Sequence, residues 1–461
     1  PGGRARMFQA DGYAFDMGPS WYWMPDVFEA FFQHFGRNRA DYYDLVRLDP
    51  SYTVRWQDGS HWAIPADYQA LKALFENEEP GAGRALDTYL EGASYKYQVG
   101  MGKLVHKPSR SLLEFMDPAF LAGLARLQVF GNMQRHVAHY FRSTKIQELM
   151  AFPVLFLGAM PSETPALYSL MNYADIKGGT WYPPGGMHQI ARGMARLAKE
   201  LGVAFHYGET VQQLNTKGNR VSEVITDKGS YTAPAVVAAL DYHHVDTQLL
   251  PANQRQYSNS YWASRTMTPS SILYYVGIDR KLPALTHHTL FFDSPFQRHA
   301  DAIYKQPNFP DEPLFYLCAP SVTDCTVAPE GHENLFFLIP TAAGLEDDEP
   351  VRERYWQQLC GRLQAHTGVD IRPHVQYRRT FGQPDFQATY NAFKGNAYGL
   401  ANTLLQTAIF KPRMHHKRLK NLYFSGQLTV PGPGVPPSLI SGKVAAQAVQ
   451  KAHPLSRPQT A

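Results

Sequence analysis

The sequence predicts an α/β chain with added α+β elements, divided between two domains that are each assembled from separated segments. Three observations carry this. Helical and strand patterns interleave along the whole chain, which is the signature of sheets covered by helices. An apolar strand near the C-terminus runs through a Gly/Pro turn straight into a helix. The length of 461 residues exceeds what one hydrophobic core comfortably serves.

Taken in order, Val54–Ile64 (VRWQDGSHWAI) alternates and turns at Asp58-Gly59, predicting a β-hairpin. Pro65–Glu78 reads as a helix with Asp67 in its first turn and Tyr68, Leu71, Leu74 and Phe75 on one face. Pro118–Arg142 reads as a long helical region rich in Leu, Phe and Met, and Ile146–Phe156 as another. Thr180–Met187 is a Gly/Pro turn, followed by a helix over His188–Leu201 that Gly202 stops. Val203–Tyr207 is expected as a strand. Val211–Leu214, Val221–Thr226 and Ser230–Thr232 are expected as an antiparallel meander, and Ala235–Leu240 as a buried strand. Ser271–Ile278, Leu314–Leu317 and Leu335–Pro340 read as strands of one sheet, and Glu349–Leu363 as a helix.

The C-terminal stretch Asn421–Lys443 (NLYFSGQLTVPGPGVPPSLISGK) is the most informative. A strand ends at Gly426, a Gly/Pro turn follows, and Ser438 leads into a helical pattern over Leu439–Ala452. Glycine lets backbone approach a ligand closely, and proline in the first helical turn forfeits only an N–H that is free in any case. A helix N-terminus carries partial positive charge and free N–H groups, so the unit makes a seat for an anionic or electron-accepting ligand.

Composition excludes several classes. The chain is 44% hydrophobic and 13% aromatic, hence globular. Net charge of +4 is too small to argue for nucleic acid. Lys411–Lys420 (KPRMHHKRLK) is a basic cluster, open to reading as a solvated loop or as a contact with an anionic membrane. Cys318, Cys325 and Cys360 have no metal-ligand or disulfide spacing, so no metal is expected and a reducing cytoplasm is the default. Ala151–Met160 is the most apolar run and about half the ~20 residues of a membrane span. No H-E-x-x-H or G-x-S-x-G pattern occurs.

Several stretches together resemble the bacterial phytoene desaturases, FAD-dependent carotenoid desaturases within the flavin amine oxidase-like superfamily. They are Pro1–Arg6 (PGGRAR), Phe15–Ser20 (FDMGPS), Tyr173–Met187 (YADIKGGTWYPPGGM), Asp241–His244 (DYHH), Asn391–Leu400 (NAFKGNAYGL) and Tyr423–Lys443. The resemblance covers essentially the whole chain. It implies a GG-turn, Rossmann-like FAD domain with an inserted substrate- and membrane-facing domain. In that family PGGRAR follows a βαβ unit of about 30 residues carrying G-x-G-x-x-G. The chain is read as a fragment without that unit.

The implied division gives the FAD domain residues 1–20, 178–245 and 415–455, the substrate domain 21–177 and 246–414, and a tail at 456–461. The implied cofactor residues are Gly2, Gly3, Arg4 and Arg6, with Arg4 or Arg6 reaching the pyrophosphate. Gly18, Pro19 and Ser20 would sit over the flavin, and Val211 beside the adenine. Gly426, Gln427, Gly434, Val435 and Pro436 would face the flavin edge, where the helix N-terminus steadies the reduced anionic ring. Acid–base candidates are Asp241, His243 and Lys394, with Asp175, Lys177, Tyr182 and Asp385 behind them. Trp21–Met24 either lines a polyene channel or packs in a core, and Leu112–Phe130 either inserts at a membrane interface or forms the domain core.

The resemblance implies phytoene as substrate, desaturated toward lycopene at the membrane surface, with oxygen or a quinone as unassigned electron acceptor. A carotenoid isomerase, a hydroxycarotenoid desaturase and a flavin-free polyene-binding remnant are the alternatives. The protein is expected in the cytoplasm, peripherally bound to membrane.

Overall fold

A computed structural model describes residues 1–111, 114, 127–157 and 160–454. Its centre is a seven-stranded sheet. From one edge the strands run Val375–Phe381, Ser270–Ile278, Glu333–Thr341, Phe315–Cys318, His288–Phe292, Tyr52–Trp56 and His61–Ile64. Neighbours are antiparallel except Tyr52–Trp56 on His288–Phe292, which is parallel. Ser270–Ile278 is buried at every position, as a central strand covered on both faces must be. One face packs against the helix Glu349–Thr367 through Tyr355, Trp356, Leu359 and Leu363. The other meets Phe15, Trp23, Leu86, Tyr89 and Phe152, in a core shared with the helical layer.

The expected hairpin is present, with Asp58-Gly59 at its turn. The helix placed at Pro65–Glu78 runs Tyr68–Glu78. Asp67 stands outside as its N-cap, accepting from Ala70 N at 2.8 Å. Much of Pro118–Arg142 and of Leu112–Phe130 lies outside the described residues. Within the remainder Met133–Tyr140 is helical, capped by Asn132. The second helical run is Thr144–Ala151, capped by Ser143. No helix among the described residues is long and apolar enough to cross a membrane.

A second unit gathers around a parallel pair, Val236–Ala238 on Leu422–Phe424, and the meander Val211–Lys217, Arg220–Thr226 and Ser230–Tyr231. Two expectations fail here. Val203–Tyr207 forms no strand and pairs with no strand among the described residues; Val203 and Tyr207 are exposed. The strand expected to be buried at Ala235–Leu240 is three residues long with one partner, so Ala238 is buried while Val237 and Leu240 are exposed.

Candidate functional site

The hairpin Met7–Ala10 and Tyr13–Asp16 returns the chain so that the segments on either side lie together. Met17 N donates to Arg6 O at 2.8 Å. A Cβ on Gly18 would stand 2.7 Å from Arg4 O, so only glycine allows this approach. Gly2 sits at φ 112°, where Ala5 N closes back on Gly2 O at 2.7 Å. The Asp16 carboxylate accepts from Met187 N and His188 N, capping the helix His188–Glu200. Burial lifts this carboxyl to about 7, while those N–H groups draw it down. Ser20 Oγ accepts from Tyr316 OH at 3.0 Å.

Arg4 spans the unit. Its Nη1 donates to Asn396 O and Ala397 O, each at 3.1 Å. Its guanidinium lies 4.9 Å from the Tyr390 ring and that of Arg6 5.2 Å from the same ring. Arg4 Nη2 and Arg6 Nε are buried and meet no hydrogen-bond partner among the described residues. Two such cationic donors, beside glycines that leave room for a ligand's backbone, fit an anionic dinucleotide phosphate.

The DYHH and NAFKGNAYGL stretches meet here. Asp241 accepts from His244 N at 3.2 Å and Phe393 N at 3.3 Å. Burial lifts its carboxyl to about 6, opposed by the nearby Arg4 charge. The His243 ring stacks on Phe393 at 4.0 Å, and burial lowers it to about 4, leaving it neutral near pH 7. Lys394 turns away, its Nζ reaching Ala263 O at 3.3 Å on the exposed side. Asn396 Oδ1 accepts from Gln427 Nε2 at 3.4 Å, and Gly399 packs under Gln427 O.

At the C-terminus, Gly426 N donates to Ser441 Oγ at 3.0 Å, and Thr429 Oγ1 lies 2.9 Å from the same oxygen. The glycine turn is thereby tied to the helix that follows. Gly432 abuts the Asn402 amide, and Gly434 sits at φ 110°. The helix runs Val435–Ala452, three residues longer at its start than a beginning at Ser438 would give, and has no side-chain cap. Pro436 and Pro437 carry no N–H and Ser438 N is bonded to Gly434 O, so the terminus offers the Val435 N–H and the helix field, fewer donors than expected. Val435 and Leu439 pack against the cluster that holds Tyr22, Phe28 and Met187. Val211 lies further off, half-buried with Leu214, Val221 and Phe424.

The remaining candidates serve other ends. Asp175 accepts from Tyr52 OH at 2.7 Å and Thr180 Oγ1 at 3.1 Å. Lys177 Nζ rests 3.0 Å above the Tyr68 ring. Tyr182 OH donates to Asp324. Asp385 pairs with Arg352 at 2.9 Å. Trp21–Met24 divides: Trp21 stacks on His288 at 4.2 Å, Trp23 and Met24 join the large core, and Tyr22 a smaller one. Sequence reading expected no metal cluster, yet His287, His288 and Cys318 come together. It also missed Tyr390, Asn402 and Ser441. No local pattern marks these residues, because each acquires its role from a distant partner.

Residues 1–450 match the family described as flavin containing amine oxidoreductase. A carotenoid 3,4-desaturase of Haloarcula japonica is 42% identical over 97% of this chain and 91% of its own length. A zeta-carotene-forming phytoene desaturase of Myxococcus xanthus is 30% identical over 96% and 86%. Among solved structures, an oxidoreductase from Methanosarcina mazei superposes with a TM-score of 0.60 at 12% identity, covering 96% of this chain and 91% of that one. A putrescine oxidase redesigned in its cofactor site gives 0.59 at 11% identity, covering 97% and 91%. The structural likenesses bear on the fold.

Proposed function

The chain belongs to the flavin containing amine oxidoreductase family, as an FAD oxidoreductase of the carotenoid desaturase type acting on CH–CH bonds, and from that premise we propose which carotenoid step it performs. The reading is desaturation of a carotenoid at its C3–C4 bond. The observation that carries it is 42% identity to a carotenoid 3,4-desaturase along nearly the whole chain. A second reading, phytoene desaturated toward lycopene, is favoured by the 30% identity to a phytoene desaturase.

FAD, when bound, supplies the hydride acceptor for this chemistry. The chain's own residues bind and orient. Arg4 and Arg6 offer their free donors to the pyrophosphate, with Gly2, Gly3 and Gly18 leaving it room. Pro19 and Ser20 cover the flavin, and Gly426, Gln427, Gly434, Val435 and Pro436 follow its edge, where the C-terminal helix field favours negative charge. Val211 borders the adenine.

Asp241 is a positioning residue: it fixes Phe393, and so the segment whose carbonyls hold Arg4. With Asp241 bonded, His243 neutral and stacked, and Lys394 at the surface, none of the three is assigned as a base. The domains divide as the resemblance implies, with residues 21–177 and 246–414 forming the substrate domain. Exposed Phe130, Leu405 and Phe410 in that domain support docking on a lipid surface, from which an apolar polyene would be drawn.

The test is expression of flavin-loaded enzyme in two bacterial hosts, one accumulating phytoene and one accumulating lycopene. Pigment is read by chromatography and visible absorption. A red-shifted product from the lycopene host alone supports 3,4-desaturation. Lycopene formed in the phytoene host supports the second reading. Unchanged carotenoids in both hosts overturn the two.

A further inference from the structure

We infer that His287, His288 and Cys318 form a binding site for one thiophilic d10 divalent cation, best represented by zinc. The three residues are 3%, 0% and 2% exposed. One nitrogen of each imidazole and Cys318 Sγ lie within 4.8 Å of one another. The sheet makes this meeting: the antiparallel register sets His288 directly opposite Cys318, and His287 immediately precedes the same strand. Two imidazoles and a thiolate are the donor set that zinc selects. Zinc bonds of about 2.0–2.3 Å around a tetrahedron hold donors roughly 3.5 Å apart, so closing the cluster takes a shift of about 1 Å.

The surroundings are those of ligands. His287 Nδ1 lies 2.8 Å from Thr323 Oγ1 and His288 Nδ1 2.7 Å from Tyr316 OH, so a hydroxyl orients each ring. The two Nε2 atoms are buried and meet no partner among the described residues. A buried polar atom left alone is costly, and a cation or an ordered water would relieve it. A cavity of about 20 Å³, lined by Asp16, Gly18, Ser20, His287 and Cys318 among others, borders two of the three residues and has room for one water.

The cation would act as a clamp. Tyr316, which orients His288, also holds Ser20, and Trp21 lies on the His288 ring. Fixing His288 to Cys318 would therefore hold the Met17–Trp21 loop against the sheet. This role is independent of which carotenoid is desaturated.

The experiment uses tag-free, flavin-loaded protein. Elemental analysis after equilibration with one equivalent of zinc should give about one zinc per chain. Cobalt in its place should show a thiolate charge-transfer band in the near ultraviolet and tetrahedral bands in the red. Cys318→Ser should abolish the charge-transfer band, His288→Gln should lower zinc affinity at least tenfold, and Cys360→Ser, a buried cysteine elsewhere, should change neither. Flavin content and circular dichroism report folding. If Cys318→Ser does not fold, the His288→Gln affinity decides. Folded wild-type protein that takes up no zinc, or zinc uptake that ignores both Cys318→Ser and His288→Gln, overturns the site.

Discussion

Arg4 Nη1 is committed to two carbonyls while Nη2 meets no partner among the described residues, so one side chain both ties the structure and keeps a donor for the proposed ligand. Arg4→Met should cut flavin retention by more than tenfold, read as the ratio of flavin to protein absorbance. It should also destabilise the fold by about 1–3 kcal/mol, because Asn396 O and Ala397 O lose their donor. Asp175 gives a prediction in pH. Burial raises its carboxyl from 3.8 to about 6, with Tyr52, Thr180 and Arg47 opposing. Between those values the folded chain holds a proton that the unfolded chain has released, so stability falls as pH rises through the window. The fall from this group is about 3 kcal/mol. Asp175→Asn should flatten that slope, checked by urea midpoints from pH 4.5 to 7.

Among elements, the C-terminal strand, turn and helix are the most exposed to test. A Cβ at Gly434 is strained at φ 110° and meets Pro437 Cδ at 3.2 Å. Gly434→Ala should cost about 1–3 kcal/mol and lower flavin affinity at least tenfold while helix content by circular dichroism holds. This element was legible because glycine, proline and apolar runs mark it locally. The hairpin at Asp58-Gly59 and the meander from Val211 were legible for the same reason. The sheet order was not: Tyr52–Trp56 lies beside His288–Phe292 across more than two hundred residues, and periodicity carries no information about such partners. Val203–Tyr207 shows the opposite error, since a strand-like pattern forms no strand without a neighbour. The glycines and arginines of the proposed site could be read from motifs, but Tyr390, Asn402 and Ser441 could not, because their roles consist of contacts with Arg4, Arg6, Gly432 and Gly426.

For the whole molecule, the parallel pair Val236–Ala238 and Leu422–Phe424 has no further strand beside it among the described residues, and Val237 is 43% and Leu240, just past the strand, 42% exposed. Parallel strands are ordinarily covered on both faces, and an open apolar edge invites pairing with another chain. This chain should therefore self-associate with rising concentration. Val237→Lys with Leu240→Lys should raise the monomer fraction in sedimentation velocity without altering the core. Arg4 meanwhile waits on Asn396 and Ala397, and the glycine turn at 426–434 comes later still. At about 5–20 residues per second, the ribosome makes the second half of the proposed nucleotide seat roughly 20–80 s after the first. Cofactor loading at the proposed seat thus has to wait for segments made long after it begins, and a nascent chain must keep Arg4 and Arg6 unengaged until Asn396 and Ala397 have emerged.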